Sequence, residues 1–326
     1  MILIENAKVY TMAGNIIENG SILIHGNKII GVDEHLEAEG AAKVDAQGMT
    51  VLPGLIDAHC HIGMWEDGIG DEGADGNEDT EPVTPELRAI DAVNPFDTAF
   101  AEAYKSGITA VMTGPGSANV IGGQFIAMKT WGRRIEEMAL AEPAALKIAF
   151  GENPKRVYNE QKKSPVTRMS SAALLRETIV RAMEYMRKRE QDEDPPERNL
   201  GMEAVTAVIK GEMPLKIHCH RADDILSAIR ISKEFGLKYT LDHCTEGHLL
   251  ADILKEENAQ IILGPLFSTR PKIEMRNLDI SAPYKLYKAG IDFAISSDHP
   301  ETPIQYLLIY AALAVREGLP EIEALK

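Results

Sequence analysis

Apolar positions follow two rhythms along the chain. Over residues 1–52 they are short and alternating. Residues 1–10 predict a strand, 21–25 and 28–32 a hairpin about Gly26-Asn27, and 43–46 and 49–52 two further short strands. A sheet that thin buries too little apolar surface to be stable alone. From Pro53 onward, continuous β-rich apolar runs alternate with amphipathic segments. The runs cover 52–61, 108–113, 124–128, 145–150, 215–219, 238–242, 260–263 and 292–296. Between several of them, 96–105, 170–189, 222–235, 247–255, 282–289 and 303–316 repeat at helical spacing. Eight buried strands separated by helices predict an all-parallel sheet covered on its outside and closed into a barrel; an open doubly wound sheet is the alternative. The fold class is therefore α/β, a (β/α)8 TIM-type barrel over residues 53–326 preceded by a small β module over 1–52.

Two segments break the rhythm. Residues 65–86 hold many Asp, Glu and Gly and no Lys or Arg, which fits a long solvated loop, either a lid or an unstructured acidic insert. Residues 151–168 read as a second long loop, more basic, able to approach the first. The last helix follows strand eight, and no later strands complete the small β module. The expectation is a truncated chain, or an edge supplied by a partner copy in a homo-oligomer.

The strand ends carry the chemistry. The opening run ends in His59-Cys60-His61, and residues two apart on a strand point to one side. Strand five ends in His218-Cys219-His220, strand six in Asp242-His243-Cys244 and strand eight in Ser296-Ser297-Asp298-His299; strand four carries Lys147. In a (β/α)8 barrel these ends share one mouth, so groups distant in sequence meet. Imidazoles from strands one, five and six with an aspartate from strand eight suit a divalent metal, zinc above all, with an open position for water. Such a metal makes hydroxide available near neutral pH, and Asp298 is placed to bind it, take the proton and pass it to a leaving nitrogen. A desolvated Lys147 would form a carbamate that bridges two metals.

Composition narrows the partners. A formal net charge of −16 argues against nucleic acid, and no apolar run is long enough to span a membrane. The three cysteines, Cys60, Cys219 and Cys244, are too few and scattered for a disulfide framework; they read as small buried hydrophobes in a reducing cytoplasm.

The run Pro53-Gly54-Leu55-Ile56-Asp57-Ala58-His59-Cys60-His61, with Ile217-His218-Cys219-His220, Asp242-His243-Cys244 and Ser296-Ser297-Asp298-His299-Pro300, resembles the metal-dependent amidohydrolase superfamily. Its imidazolonepropionase-like and Xaa-Pro or Xaa-Arg dipeptidase-like branch is the most similar. The resemblance implies a split β-sandwich beside the barrel, usually closed by a C-terminal segment. It sets His59, His61, His218 and His243 as ligands, Asp298 as ligand and base, and Lys147 as the carboxylated lysine of two-metal members, with Glu152 as the fallback. It leaves His220 to polarise a substrate carbonyl. Gly123 and Gln124, in the Val120–Gln124 stretch, offer backbone amides to substrate. Arg270 offers a guanidinium for a substrate carboxylate, and His248 reads as a helix-start residue. The implied reaction is hydrolysis of a carbon–nitrogen bond in a small amide, cyclic amide or dipeptide, with one or two metals. Deamination of an amino-heterocycle and a catalytically inactive barrel are the alternatives; a phosphate-binding isomerase lacks its glycine-rich loop after strands seven and eight.

Overall fold

The computed structural model describes residues 1–326 as two units, Met1–Leu55 and Ile56–Leu325. In the first, β1 (Ile2–Tyr10), β2 (Ile16–His25), β3 (Lys28–Asp33) and β4 (Ala42–Asp45) form a sheet in the order β3-β2-β1-β4, with β5 (Thr50–Val51) also paired to β1. The hairpin turns where the sequence predicts it. Gly26 takes φ +59°, a left-handed value that glycine adopts without penalty. Ala7, Val9, Ile22 and Ala46 make a small one-sided core.

The second unit holds an eight-stranded, nearly closed barrel sheet in chain order. Its strands are β6 (Leu55–Cys60), β7 (Ile108–Thr113), β8 (Ile121–Lys129), β9 (Ala139–Ala149), β10 (Leu215–Cys219), β11 (Tyr239–His243), β12 (Ile261–Leu263) and β13 (Phe293–Ile295). All eight predicted strands are present. Just beyond the sheet's two edges the chain closes on itself: Asp298 N–H donates to the His59 carbonyl at 3.2 Å and His61 N–H to the His299 carbonyl at 2.8 Å.

One expectation fails. The sheet is not all parallel, because β8 runs antiparallel to both β7 and β9. The connectors explain it. Seven residues, 114–120, join β7 to β8, and 130–138 contain only the four-residue helix Ile135–Met138. A parallel return needs a crossover of a dozen or more residues.

The helices are α1 (Thr98–Lys105), α2 (Ile135–Met138), α3 (Glu152–Glu160), α4 (Arg168–Gln191), α5 (Leu200–Ile209), α6 (Ala222–Glu234), α7 (Ala251–Glu256), α8 (Ala282–Lys288), α9 (Leu307–Arg316) and α10 (Glu321–Leu325). Side chains start several of them: Asp97, Thr167 and Asn199 accept N–H bonds from Ala99, Ser170 and Met202. Helix α6 buries Ile225, Ala228, Ile229 and Ser232 at helical spacing. No helix is long and apolar enough to cross a membrane.

The stretch read as a basic loop contains α3. It does approach the acidic segment: Gln161 Nε2 and Lys163 Nζ donate to the carbonyls of Asp79 and Thr80, and Tyr158 OH to that of Glu81. The acidic segment is itself ordered. It carries a 3-10 turn at Gly70–Gly73 and is stapled to the start of β8 through Thr84 N–H to Ile121 O and Ile121 N–H to Pro82 O.

Candidate metal centre at the barrel mouth

Period-two alternation puts His59 and His61 on one side of the opening strand's end, and the closure contacts bring Asp298 to them. Asp298 Oδ1 lies 3.4 Å from His59 Nε2 and 3.4 Å from His61 Nε2, and Lys147 Nζ lies 3.4 Å from His59 Nε2. A second set follows on β10 and β11: His218, His220 and His243 have ring centroids 4.5–4.7 Å apart. In each trio the donor atoms lie within 4.8 Å of one another. Two ligands bound tetrahedrally at about 2.1 Å to one metal stand about 3.4 Å apart, so the Asp298 distances are those of a shared cation.

The outward sides of the rings are engaged. His59 Nδ1 lies 2.8 Å from Asp242 Oδ2, His61 Nδ1 2.6 Å from Gly114 O, His220 Nδ1 2.7 Å from Thr245 Oγ1 and His243 Nδ1 2.8 Å from Gly264 O. His61 and His243 face carbonyl oxygens, so their Nδ1–H donates outward and each Nε2 lone pair is free for a metal. His243 and Asp298 both hold left-handed backbones, φ 69° and 56°, a strain of about 1–3 kcal/mol each that recurs at functional sites.

Charge fits the same use. Burial, with Lys147 and Lys216 nearby, draws the His59 imidazole down to about 4. Burial, then His218, draws His220 to about 3, and burial holds His218 and His243 well below the ordinary value. Burial acts against ionisation of Asp298, yet His243, His59 and His61 around it hold its carboxyl well below the usual range. Lys147 is fully enclosed, and burial lowers its ammonium to about 8, within reach of the neutral amine that carbamylation needs.

The buried histidines also set acid stability. Their folded values lie below the unfolded value of about 6.5, so the unfolded chain takes up more protons between roughly pH 6.5 and 4, at about 1.4 kcal/mol per pH unit per histidine. Asp57, raised by burial to about 6, works oppositely below pH 6 but is one group against four. The metal-free protein is expected to show a lower urea midpoint at pH 5 than at pH 7.5; an unchanged midpoint would contradict these neutral imidazoles.

Other predicted residues land elsewhere. Arg270 is not brought to the mouth: it is exposed, donates Nη2 to Leu278 O at 2.7 Å, and lines a separate groove with His248. His248 lies in the 3-10 turn Gly247–Leu249, just before α7. Two amides of the 120–124 stretch are engaged within the chain, that of Ile121 with Pro82 O at 3.1 Å. Gln124 N–H donates to Leu87 O at 2.8 Å and its Nε2 to Pro85 O at 2.9 Å. Gly123 pairs with Lys147 at φ +118°, where a Cβ would stand 2.7 Å from Leu87 O. Glu152 Oε2 accepts the Glu274 N–H and stays out of both donor sets.

Sequence reasoning missed Glu274, Lys216, Trp65 and Lys272. Lys216 Nζ lies 3.0 Å from Asp242 Oδ2, behind His59. Trp65 packs edge-on to His61, ring centroids 5.1 Å apart. A cavity of about 530 Å³ opens over His61, His218, His243 and Asp298, walled by Trp65, Asn77, Asn153, Arg156 and Lys272.

Fold and mouth define a barrel with metal-type donor sets at its strand ends. No family model matches. A crystal structure of an amidohydrolase from Thermotoga maritima MSB8 superposes with a TM-score of 0.97 at 39% identity, covering 100% of this chain and 86% of that one. A prolidase complexed with N-methylphosphonate-L-proline shares the fold, with a TM-score of 0.58 at 14% identity over 99% of this chain and 84% of that one. Among curated proteins, amidohydrolase TasK of Hapsidospora irregularis is 30% identical over 342 residues, 94% of this chain but 34% of its own length. A 5'-deoxyadenosine deaminase of Methanococcoides burtonii is 32% identical over 170 residues, 50% of this chain and 36% of its own. The chain thus spans about a third of the length of these two curated relatives. It belongs to the amidohydrolase superfamily.

Proposed function

We propose that this chain is a metal-dependent hydrolase that cleaves the carbon–nitrogen bond of a small amide, cyclic amide or dipeptide. The observation that carries the reading is the convergence of His59, His61 and Asp298 at metal-ligand spacing beneath an open cavity. These three would hold one divalent cation, most simply zinc, and His218 and His243 would serve a second, with a carboxylated Lys147 between them. When bound, such a metal lowers the pKa of a coordinated water and polarises a carbonyl.

The chain's own groups do the rest. Asp298, ionised and facing the cavity, accepts the proton of the attacking water at a carboxylate oxygen and returns it to the departing nitrogen. Trp65 and the acidic segment shield the mouth from solvent. Lys272, on the cavity wall without an ion-pair partner, suits a carboxylate on the substrate, the role sequence reasoning gave to Arg270. Two separate donor sets support amide cleavage over a one-metal deamination. Three free, buried cysteines support a reducing compartment such as the cytoplasm.

The experiment is a chelator-treated sample assayed against N-acyl amino acid, cyclic amide and dipeptide libraries. Activity is expected to vanish on metal removal and return with added divalent zinc, manganese or cobalt. Turnover that survives removal of all divalent metal would overturn the proposal.

A further inference from the structure

Glu274 has no task in that scheme, yet its carboxylate is 1% exposed and lies against the second histidine set. It comes from the 3-10 turn Ile273–Met275 in the loop after β12. Its outer oxygen is clasped: Oε2 accepts the Glu152 N–H at 3.0 Å while Glu152 Oε2 accepts the Glu274 N–H at 3.2 Å. The inner oxygen, Oε1, faces His218 Nε2 at 3.4 Å and His220 Nε2 at 3.7 Å. Oε1 and His218 Nε2 are both buried without a hydrogen-bond partner.

Distance decides between two explanations. An N–H···O bond would draw the atoms to about 2.7–3.2 Å. Separations of 3.4 and 3.7 Å are those of atoms flanking a common cation at about 2.1 Å. His243 supplies a further donor, since its Nδ1 is turned to Gly264 O and its ring lies 4.5 Å from His218 and 4.6 Å from His220.

We infer that Glu274 is a direct ligand of a second divalent cation, bound together with His218, His220 and His243. This rests on the metal-dependent reading above and extends it. His220 then belongs to the cation's shell and is not the carbonyl-polarising group that the family resemblance implies. Glu274 then supplies the second cation's anionic donor in place of a bridging carboxylated Lys147, whose Nζ lies 3.4 Å from His59 Nε2. The four protein donors close a zinc-type shell, and the open position stays with the His59, His61 and Asp298 set.

The test counts metal. Metal-free protein is loaded with zinc, desalted and measured by elemental analysis, and site affinities are read by competition with a chromophoric chelator. The native chain is expected to hold two ions. E274Q should keep one and bind the other at least about 100-fold more weakly, given that even outer-shell changes cost 10–100-fold. H61N should weaken the opposite site and spare this one. Gln retains an acceptor for the Glu152 N–H; E274D, charged but too short to span both partners, should show the same loss, and circular dichroism of the metal-free variants checks folding. Two ions at native affinity in E274Q and E274D would overturn the inference while leaving the metal-dependent reading intact. A native chain that binds no divalent ion would remove both.

Discussion

Asp298→Asn is expected to lower kcat/KM at least about 10³-fold, within the range set by loss of a positioned acid–base group. The side chain is 10% exposed, its Oδ1 equidistant from His59 Nε2 and His61 Nε2 at 3.4 Å and its Oδ2 3.7 Å from His243 Nδ1. Asparagine has the same shape and tolerates the left-handed backbone at this position. The main-chain bond from residue 298 to His59 O survives the change. What asparagine cannot do is accept a proton or lend a full negative charge to a cation. The variant should therefore fold, with a urea midpoint close to native, and fail to turn over the amide proposed as substrate. A native kcat/KM in the folded variant would take Asp298 out of the reaction.

Asp242→Asn is expected to destabilise the metal-free protein by about 3–5 kcal/mol, the cost of breaking a buried ion pair from one side. Asp242 is fully enclosed, its Oδ2 between Lys216 Nζ at 3.0 Å and His59 Nδ1 at 2.8 Å, and its Oδ1 accepts from Thr240 Oγ1 at 2.9 Å. Burial disfavours its charge, but Lys216 and His59 outweigh that and hold it well below the usual carboxylate range. Asparagine removes the negative charge opposite the Lys216 Nζ, 1% exposed and 5.4 Å from the Phe125 ring centroid. Urea titration reads the loss directly. The double variant K216M/D242L should recover part of it, because an apolar pair leaves no stranded charge. A midpoint within about 1 kcal/mol of native for D242N would show that the pair is not coupled.

What was legible in the sequence follows a physical rule. His59, His61, His218, His243 and Asp298 sit at the ends of regular strands, where period-two geometry and barrel closure dictate direction. Glu274 sits on an irregular loop, where no period says which way a side chain points. The same ignorance led to Arg270 when Lys272, two positions on, faces the cavity; Arg270 takes φ 57° and turns to Leu278. Strand three was found by its apolar residues, but they do not encode its direction, which resides in the short connectors 114–120 and 130–138. Helix α5, Leu-Gly-Met-Glu-Ala-Val-Thr-Ala-Val-Ile, escaped notice because a glycine and four β-branched residues blur its helical signal.

The reversed β8 bears on how this chain is recombined with relatives. Its first residues, not its last, lie beside the candidate site, and the segment before them is laced to them by Thr84, Leu87 and Asn119. A chimera that imports residues 65–88 from an all-parallel barrel while keeping 114–124 would strand half of those ties. The two stretches form one cassette, and specificity grafts that move them together are the ones this architecture permits.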